Sequence, residues 1–470
     1  MFSFCIIFFY LFNSCYSSNK LIFAMIHFRH GARASTFSGN VDSMGEYWEN
    51  SGQLTGVGER MQYLLGLRNR KRYIKNAKLL SEKYKLKELR VISTGVNRTI
   101  LSALSHLQGL YPQTENIREI LNEFQLNMSY PPLSLNNSEI EEELNQLNNS
   151  SLPNNMTLIP FEIINSTSFL LSFAQTGCQG ALKYSSRSNT EGCYLIESEF
   201  NNKFSLQMNK FLNKENYNYS FTEIARICDT FIADYTDGRN MTRLKEAGVN
   251  FLDLYNLCLK TIGIYFSEFL IRTDEIFFLE GTEIMELLIN YAKKSINDDI
   301  NGNNIEPKML IYSGHDITIS KQEFFLIKAF GLNMSSYQFP TYGSQLSFEI
   351  ERNDDNNNRN YSDYIISYYF NDELLLNMTV DKFFNKIEPN IWSQEKINNF
   401  CSYNISEEII EFKSEKKDKN NYKIALIIIS CLFGISLIAN IITCICLFKL
   451  KKNNDHNRSS SIMEIKKFNN

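Results

Sequence analysis

Leu21-Ile22-Phe23-Ala24-Met25-Ile26-His27-Phe28 is a nearly continuous apolar run that stops abruptly at Arg29-His30-Gly31-Ala32-Arg33. Apolar residues at successive positions, without the alternation of a half-exposed strand, are the pattern of a strand buried on both faces of a parallel sheet. Two further runs share this form. Leu89-Arg90-Val91-Ile92 ends on Ser93-Thr94-Gly95, and Met309-Leu310-Ile311-Tyr312 ends on Ser313-Gly314. Helical patterns intervene, from Glu59 to Ile74 after the turn at Gly56 and Gly58, and from Asn97 to Leu110. Strands alternating with helices predict an α/β fold with a mostly parallel sheet flanked by helices.

Outward from these strands, residues 113–307 become polar and asparagine-rich, with helix-period stretches such as Ile284, Leu287, Leu288 and Tyr291 on one face. They predict a mainly helical insertion that leaves the sheet after its second strand and returns at Met309, so that 20–112 and 308–400 form the catalytic α/β domain. Gln345 to Arg352 and Tyr361 to Phe370 alternate in hydrophobicity around the turn-forming Asp354 to Asn360. That predicts an antiparallel hairpin at a sheet edge.

The two ends of the chain have a different character. Phe2 to Phe12 is apolar and closes on small polar residues at Ser14 to Ser18, the shape of a secretory signal peptide over 1–18. Ile424 to Phe448 is 25 residues without a charge. At about 1.5 Å per residue it exceeds the roughly 30 Å hydrocarbon core and is expected to span a membrane. Lysines flank it on both sides, so the positive-inside rule does not set its orientation. The signal peptide does. Residues up to about 423 are expected to be luminal or extracellular, with 407–423 a solvated stalk and 449–470 a cytosolic tail.

A net charge of -4 and 43% hydrophobic residues allow a sizeable core and give no sign of a nucleic-acid binder. Outside the signal and the span, Cys178, Cys193, Cys228, Cys258 and Cys401 show no metal-ligand spacing, so disulfides are expected, with connectivity open and one cysteine left over. Sequons at Asn127, Asn136, Asn148, Asn155, Asn165, Asn218, Asn240, Asn333, Asn360, Asn377 and Asn404 agree with a secretory glycoprotein.

Each of the three apolar runs ends in functional side chains: Arg29, His30 and Arg33 after the first, Arg98 after the second, His315 and Asp316 after the third. In open α/β sheets, ligands bind outside the carboxyl ends of the strands, so these clusters are expected to converge on one crevice. Histidine is scarce. Of the 5 present, His30 and His315 stand at strand ends beside a glycine, while His27 and His106 read as packed structural residues. Three arginines and two histidines around one pocket concentrate positive charge, and guanidinium forks match phosphate oxygens. The helix beginning near Asn97 adds its N-terminal dipole. Phosphate is the ligand this chemistry indicates.

In that setting a neutral His30 can attack phosphorus in line and form a phosphohistidine, while Arg29, Arg33 and Arg98 neutralise the equatorial oxygens. His315 is expected to hydrogen-bond a phosphoryl oxygen. Asp316, kept protonated by the neighbouring phosphoryl charge, is expected to protonate the leaving alcohol and then help activate water. The reading predicts an acid optimum, with no metal and no organic cofactor.

Taken together these stretches resemble the histidine acid phosphatase family, the acid-phosphatase branch of the histidine phosphatase superfamily. The family's opening motif R-H-G-x-R-x-P is met by Arg29-His30-Gly31-Ala32-Arg33-Ala34-Ser35. Gln53-Leu54-Thr55-Gly56-Val57-Gly58 and the helix ending Arg70-Lys71-Arg72-Tyr73 are similar again, as are Ile92-Ser93-Thr94 through Arg98-Thr99, Gly109-Leu110-Tyr111-Pro112, and Ser313-Gly314-His315-Asp316. The resemblance implies a phosphoglycerate mutase-like fold with a helical cap. It also implies a phosphomonoester substrate, with His30 as nucleophile, Asp316 as proton donor, and Arg29, Arg33, Arg98 and His315 binding phosphate. Arg33 argues against the mutase-like branch, where serine commonly stands. The family includes luminal, type I membrane acid phosphatases of the lysosomal and prostatic kind, often dimeric; a homodimer stays open, since nothing in the sequence marks an interface.

This chain departs from the pattern in three places. Ser35 replaces the usual proline and frees φ after the motif. Gly95 and Asn97 replace acidic residues often seen before the third arginine. Asn97-Arg98-Thr99 is formally a sequon, expected to be unoccupied because a glycan there would sit beside the site. Two other functions compete: a phytase or inositol-polyphosphate phosphatase sharing the motif set, and a non-catalytic surface glycoprotein on the same fold. The second usually requires loss of a key residue, and all six are present.

Overall fold

A computed structural model describes residues 19–36, 51–112, 121–129, 156–164, 190–270, 274–334, 337–353 and 359–402, with scattered positions between 131 and 152 and between 178 and 181. The expected signal peptide, stalk, transmembrane helix and tail lie outside the described residues. Among the described residues no helix is long and apolar enough to cross a membrane.

In chain order the elements are β1 (Asn19–Arg29), α1 (Gly56–Asn69, continued by a π-helical turn over Arg70–Asn76), β2 (Leu89–Thr94), α2 (Asn97–Leu110), α3 (Glu123–Met128) and β3 (Glu162–Ile164). There follow α4 (Glu191–Leu212), α5 (Phe221–Thr236), α6 (Thr242–Glu246), α7 (Phe251–Ile264) and α8 (Asp274–Ile300). The chain then returns through β4 (Met309–Gly314), α9 (Asp316–Ala329), β5 (Gln345–Asn353), β6 (Tyr364–Phe370), β7 (Glu373–Thr379), α10 (Val380–Ile387) and α11 (Gln394–Cys401).

One sheet has the strand order β3-β2-β4-β1-β5-β6-β7. β1 is central, between parallel β4 and antiparallel β5, which is why its residues are apolar without alternation. Phe23 and Met25 join the core on one face, beneath Ile284, Met285 and Leu288 of α8. Ala24, Ile26 and Phe28 join the other, with Leu107 and Leu110 of α2. Each large side chain so buried contributes roughly 1.5–3 kcal/mol.

The sheet is mixed, a correction to the mostly parallel one expected. β3, β2, β4 and β1 run parallel, but β5, β6 and β7 return antiparallel. Among the described residues a single 3-10 turn, Tyr361–Asp363, lies between those last three strands, and a parallel return needs a long crossover. The β5–β6 pair forms as expected, yet not at the edge, because β7 covers β6. Asn371 and Asp372 make that tight turn with φ of 46° and 78°, the left-handed pair a two-residue hairpin requires. The segment 113–307 also contributes β3 at the opposite edge, and its last long helix, α8, packs on the sheet.

α4, α5 and α7 build a second core around Ile196, Phe200, Ile224, Phe231, Leu254 and Leu257. A disulfide between Cys228 and Cys258 joins α5 to α7, and a second joins Cys178 to Cys401. Cys193 is the left-over thiol, and it is buried.

Candidate active site

Parallel pairing brings three strand ends to one edge. Arg29 pairs with Gly314 and Phe28 with Ser313 across β1 and β4, while Ser93 pairs with Ser313 across β2 and β4. The loop after β1 is then tied to both neighbours. His30 N–H donates to Gly314 O at 3.0 Å, and Gly31 N–H donates to Ser102 Oγ of α2 at 3.2 Å. Gly31 and Gly58 let the start of α1 approach this loop: a Cβ on either would overlap the other segment's backbone. Gln62 of α1 completes the brace by donating to Arg29 O at 2.8 Å.

His30 lies on this floor, 2% exposed. Its Nδ1 is 2.8 Å from Gly31 O. A carbonyl oxygen can only accept, so Nδ1 carries the proton and Nε2 keeps the lone pair. Burial, then the charges of Arg29 and Arg98, hold His30 well below the ordinary histidine range. A neutral, nucleophilic imidazole therefore persists in acid, where a solvated one would be protonated.

His315, the N-cap of α9, stands with its ring centre 5.6 Å from that of His30. Its Nδ1 is 3.3 Å from Arg98 Nη2 and its Nε2 3.1 Å from Thr94 Oγ1. Because a guanidinium only donates, Nδ1 accepts and the proton sits on Nε2, facing Thr94. Both ring nitrogens are thus engaged by the protein. Burial, with Arg98 adding to it, lowers His315 to about 3. Arg98 is itself lowered to about 10, by burial and then by Arg33.

Arg29 lies 4.4 Å from the ring centre of Tyr342 and 5.4 Å from that of Phe339. Its Nη1 donates to Pro340 O at 2.8 Å, and its Nη2 pairs with Asp316 Oδ2 at 2.7 Å. Arg33 is held at both terminal nitrogens by Asp229 of α5, Nη2 to Oδ1 at 2.6 Å and Nη1 to Oδ2 at 3.3 Å. Burial raises the Asp229 carboxyl, but Arg33's charge and hydrogen bonds outweigh it and keep the group below the usual carboxylate range. In Arg29, Arg33 and Arg98 alike, the Nε–H is buried with no hydrogen-bond partner. Buried donors left unpaired are destabilising, and Arg29, Arg33 and Arg98 each carry one beside His30.

A cavity of about 340 Å³ opens onto Arg29, Arg33, Asp316 and Tyr342. α5 forms one wall with Thr222, Ala225, Arg226, Asp229 and Ile232, and Ile262, Phe266 and Phe339 add apolar surface.

The family model described as the histidine phosphatase superfamily (branch 2) matches residues 20–371. The chain belongs to that superfamily. Human prostatic acid phosphatase is 37% identical over 97 residues, 20% of this chain and 24% of that protein. A putative acid phosphatase 11 of Caenorhabditis elegans is 40% identical over 103 residues, again 20% of this chain and 24% of that protein. The chain thus matches about a quarter of the length of these curated relatives. In fold it is similar to a phytase from Citrobacter braakii, with a TM-score of 0.52 and 14% identity over 82% of this chain and 100% of that one.

This member of the superfamily brings together all six residues singled out in the sequence. His27 and His106 stay apart from them. His27 is bonded to Gln322 and buried in the sheet, and His106 stacks on Phe28 at 4.5 Å. Sequence reasoning missed Asp229, Tyr342 and Phe339. Asp229 sits in an amphipathic helix, where a carboxylate reads as surface. Ser35, the irregular residue of the motif, also meets α5: its Oγ is 3.1 Å from Thr230 Oγ1. The expected concentration of positive charge is tempered as well, since Asp316 and Asp229 pair with two of the arginines and both histidines are neutral.

Proposed function

We propose that this superfamily member hydrolyses phosphate monoesters through a phosphohistidine on His30. The observation that carries the reading is the set of three buried, unpartnered Nε–H groups on Arg29, Arg33 and Arg98 around a neutral His30. A tetrahedral dianion supplies the missing acceptors. In the first step the Nε2 lone pair of His30 forms an N–P bond as the P–O ester bond breaks, and the leaving alkoxide takes a proton from Asp316. In the second, water attacks phosphorus, the N–P bond breaks, Asp316 accepts the water's proton, and inorganic phosphate leaves. The arginines stabilise the equatorial oxygens throughout, so the scheme calls on no metal. Arg98 turns from His315 Nδ1 to a phosphoryl oxygen when substrate binds; the His315 proton then moves to Nδ1 to donate to the phosphoryl group, and Nε2 accepts from Thr94 Oγ1.

The wall of the cavity favours a single phosphoryl group on a partly apolar alcohol. Ile232, Ile262, Phe266 and Phe339 give that wall an apolar surface beside Arg226. Phytate and simple monoesters assayed side by side separate the two readings.

Brief mixing with a labelled aryl phosphate at mildly acidic pH, followed by a quench, traps a base-stable, acid-labile phosphoenzyme. In His30→Ala the label disappears and turnover falls by about 10⁴-fold or more. Unchanged turnover in that variant, or strict dependence on added metal, defeats the reading.

In this proposal residues 424–448 anchor the protein, and the catalytic domain faces the lumen or the outside. Six sequon asparagines among the described residues, Asn127, Asn218, Asn240, Asn333, Asn360 and Asn377, are exposed, which supports that placement.

A further inference from the structure

We propose that Asp229 is a positioning residue for Arg33: it takes one N–H from each terminal nitrogen of the guanidinium and so fixes which edge Arg33 turns to the phosphoryl group. The inference rests on the phosphatase reading and deepens it.

A guanidinium has five N–H donors, and its strongest phosphate contact is the two-pronged fork. Asp229 takes the end-on fork of Arg33. Nη2 donates to Asp229 Oδ1 at 2.6 Å, and Nη1 donates to Asp229 Oδ2 at 3.3 Å and to Ala34 O at 3.1 Å. What is left is the side edge, Nε–H, buried and unpartnered, with the second N–H of Nη2 beside it. The carboxylate is held in turn. Thr36 donates to Oδ2 at 3.0 Å, the neighbouring Thr230 meets Ser35, and the preceding Cys228 is tied to α7 by its disulfide. Asp229 therefore joins the cap helix α5 to the loop that carries His30, through the arginine itself. A residue fixed this firmly in a 6%-exposed site does not swing when substrate arrives.

A contact fixed before substrate arrives has a kinetic signature. It strengthens substrate, product and transition state alike, so its loss raises KM and the phosphate inhibition constant while kcat changes little. A contact made through another residue also has a thermodynamic signature: removing Asp229 matters only while Arg33 is present.

The test is a double-mutant cycle on the full chain, reading kcat, KM for an aryl phosphate and competitive inhibition by inorganic phosphate. Asp229→Asn is expected to raise KM and the phosphate inhibition constant about tenfold, with kcat within about threefold. Asp229→Glu restores most of the loss. In an Arg33→Lys background the same Asp229→Asn change moves the phosphate inhibition constant by less than about twofold. Equal losses in both backgrounds would mean that Asp229 acts on the fold and not through Arg33, and no loss in the parent would remove its role; either result overturns the proposal. Should Asp229→Asn fail to fold, Thr36→Val takes its place, since it removes one bond to the carboxylate from an exposed position. A rise of about threefold in the phosphate inhibition constant supports the proposal, and an unchanged value overturns it. An inactive parent protein that phosphate does not protect against heat would instead defeat the phosphatase reading itself.

Discussion

The crevice has two walls of different origin. One is made by the ends of β1, β2 and β4, where register alone brings Arg29, His30, Arg98, His315 and Asp316 together. The other is α5, which reaches the site from the helical cluster and sets Asp229 on Arg33 and Thr230 beside Ser35. The strand-end wall holds the groups proposed to react, and its geometry follows from a hydrogen-bonded ladder that has little freedom. The helical wall holds the carboxylate proposed to position one of them, and its place depends on packing and a disulfide. In this proposal chemistry is on the rigid side, and the tuning of affinity is on the side that a different cap would change.

Substitutions can break this comparison, starting with the strand-end wall. After His30→Ala the largest loss is expected for Asp316→Asn, which lowers kcat by about 10²–10⁴-fold. The loss should be steepest for substrates with poor leaving alcohols and shallow for a nitrophenolate, which needs no proton. A uniform loss across a leaving-group series would place Asp316 in binding instead, as the partner of Arg29 at 2.7 Å.

Acid probes the scaffold both walls share. Burial lowers His27 to about 4 and His106 to about 3 from the ordinary 6.5. The unfolded chain takes up protons on these rings below 6.5, whereas the folded chain keeps them neutral until about 4 and 3. The unfolded state binds more protons in that window, so stability is full above 6.5 and falls as pH drops toward 4. Each ring contributes a loss of about 1.4 kcal/mol per pH unit. Denaturant midpoints recorded from pH 7 downward should decline even as activity rises, because His30 remains neutral for the same physical reason.

The smallest effect belongs to the joint between the walls. Ser35→Ala removes the bond to Thr230 and should lower stability by about 1 kcal/mol, with a slight rise in KM. A change in kcat larger than that in KM would show that the joint matters to the chemical step.

How much of this was legible differs between the walls for a reason. Continuous apolar runs ending in glycine and charge identify buried parallel strands and their functional ends, because a doubly buried strand carries few polar residues until it emerges. The antiparallel strand β7 was not legible: Glu373–Thr379 is half-exposed and follows a two-residue turn carried by Asn371-Asp372. β3, of three residues, is too short to leave a pattern.

By itself the sequence determined the strands that bracket the site, the six residues at their ends and the chemistry those residues share, since each is a local property of a strand and the turn after it. Tertiary structure alone decided which carboxylate meets which arginine, which ring nitrogen of each histidine carries the proton, and which cysteines pair. Those depend on contacts between segments as far apart as Arg33 and Asp229, 196 residues along the chain, and no local pattern encodes a distance that packing sets.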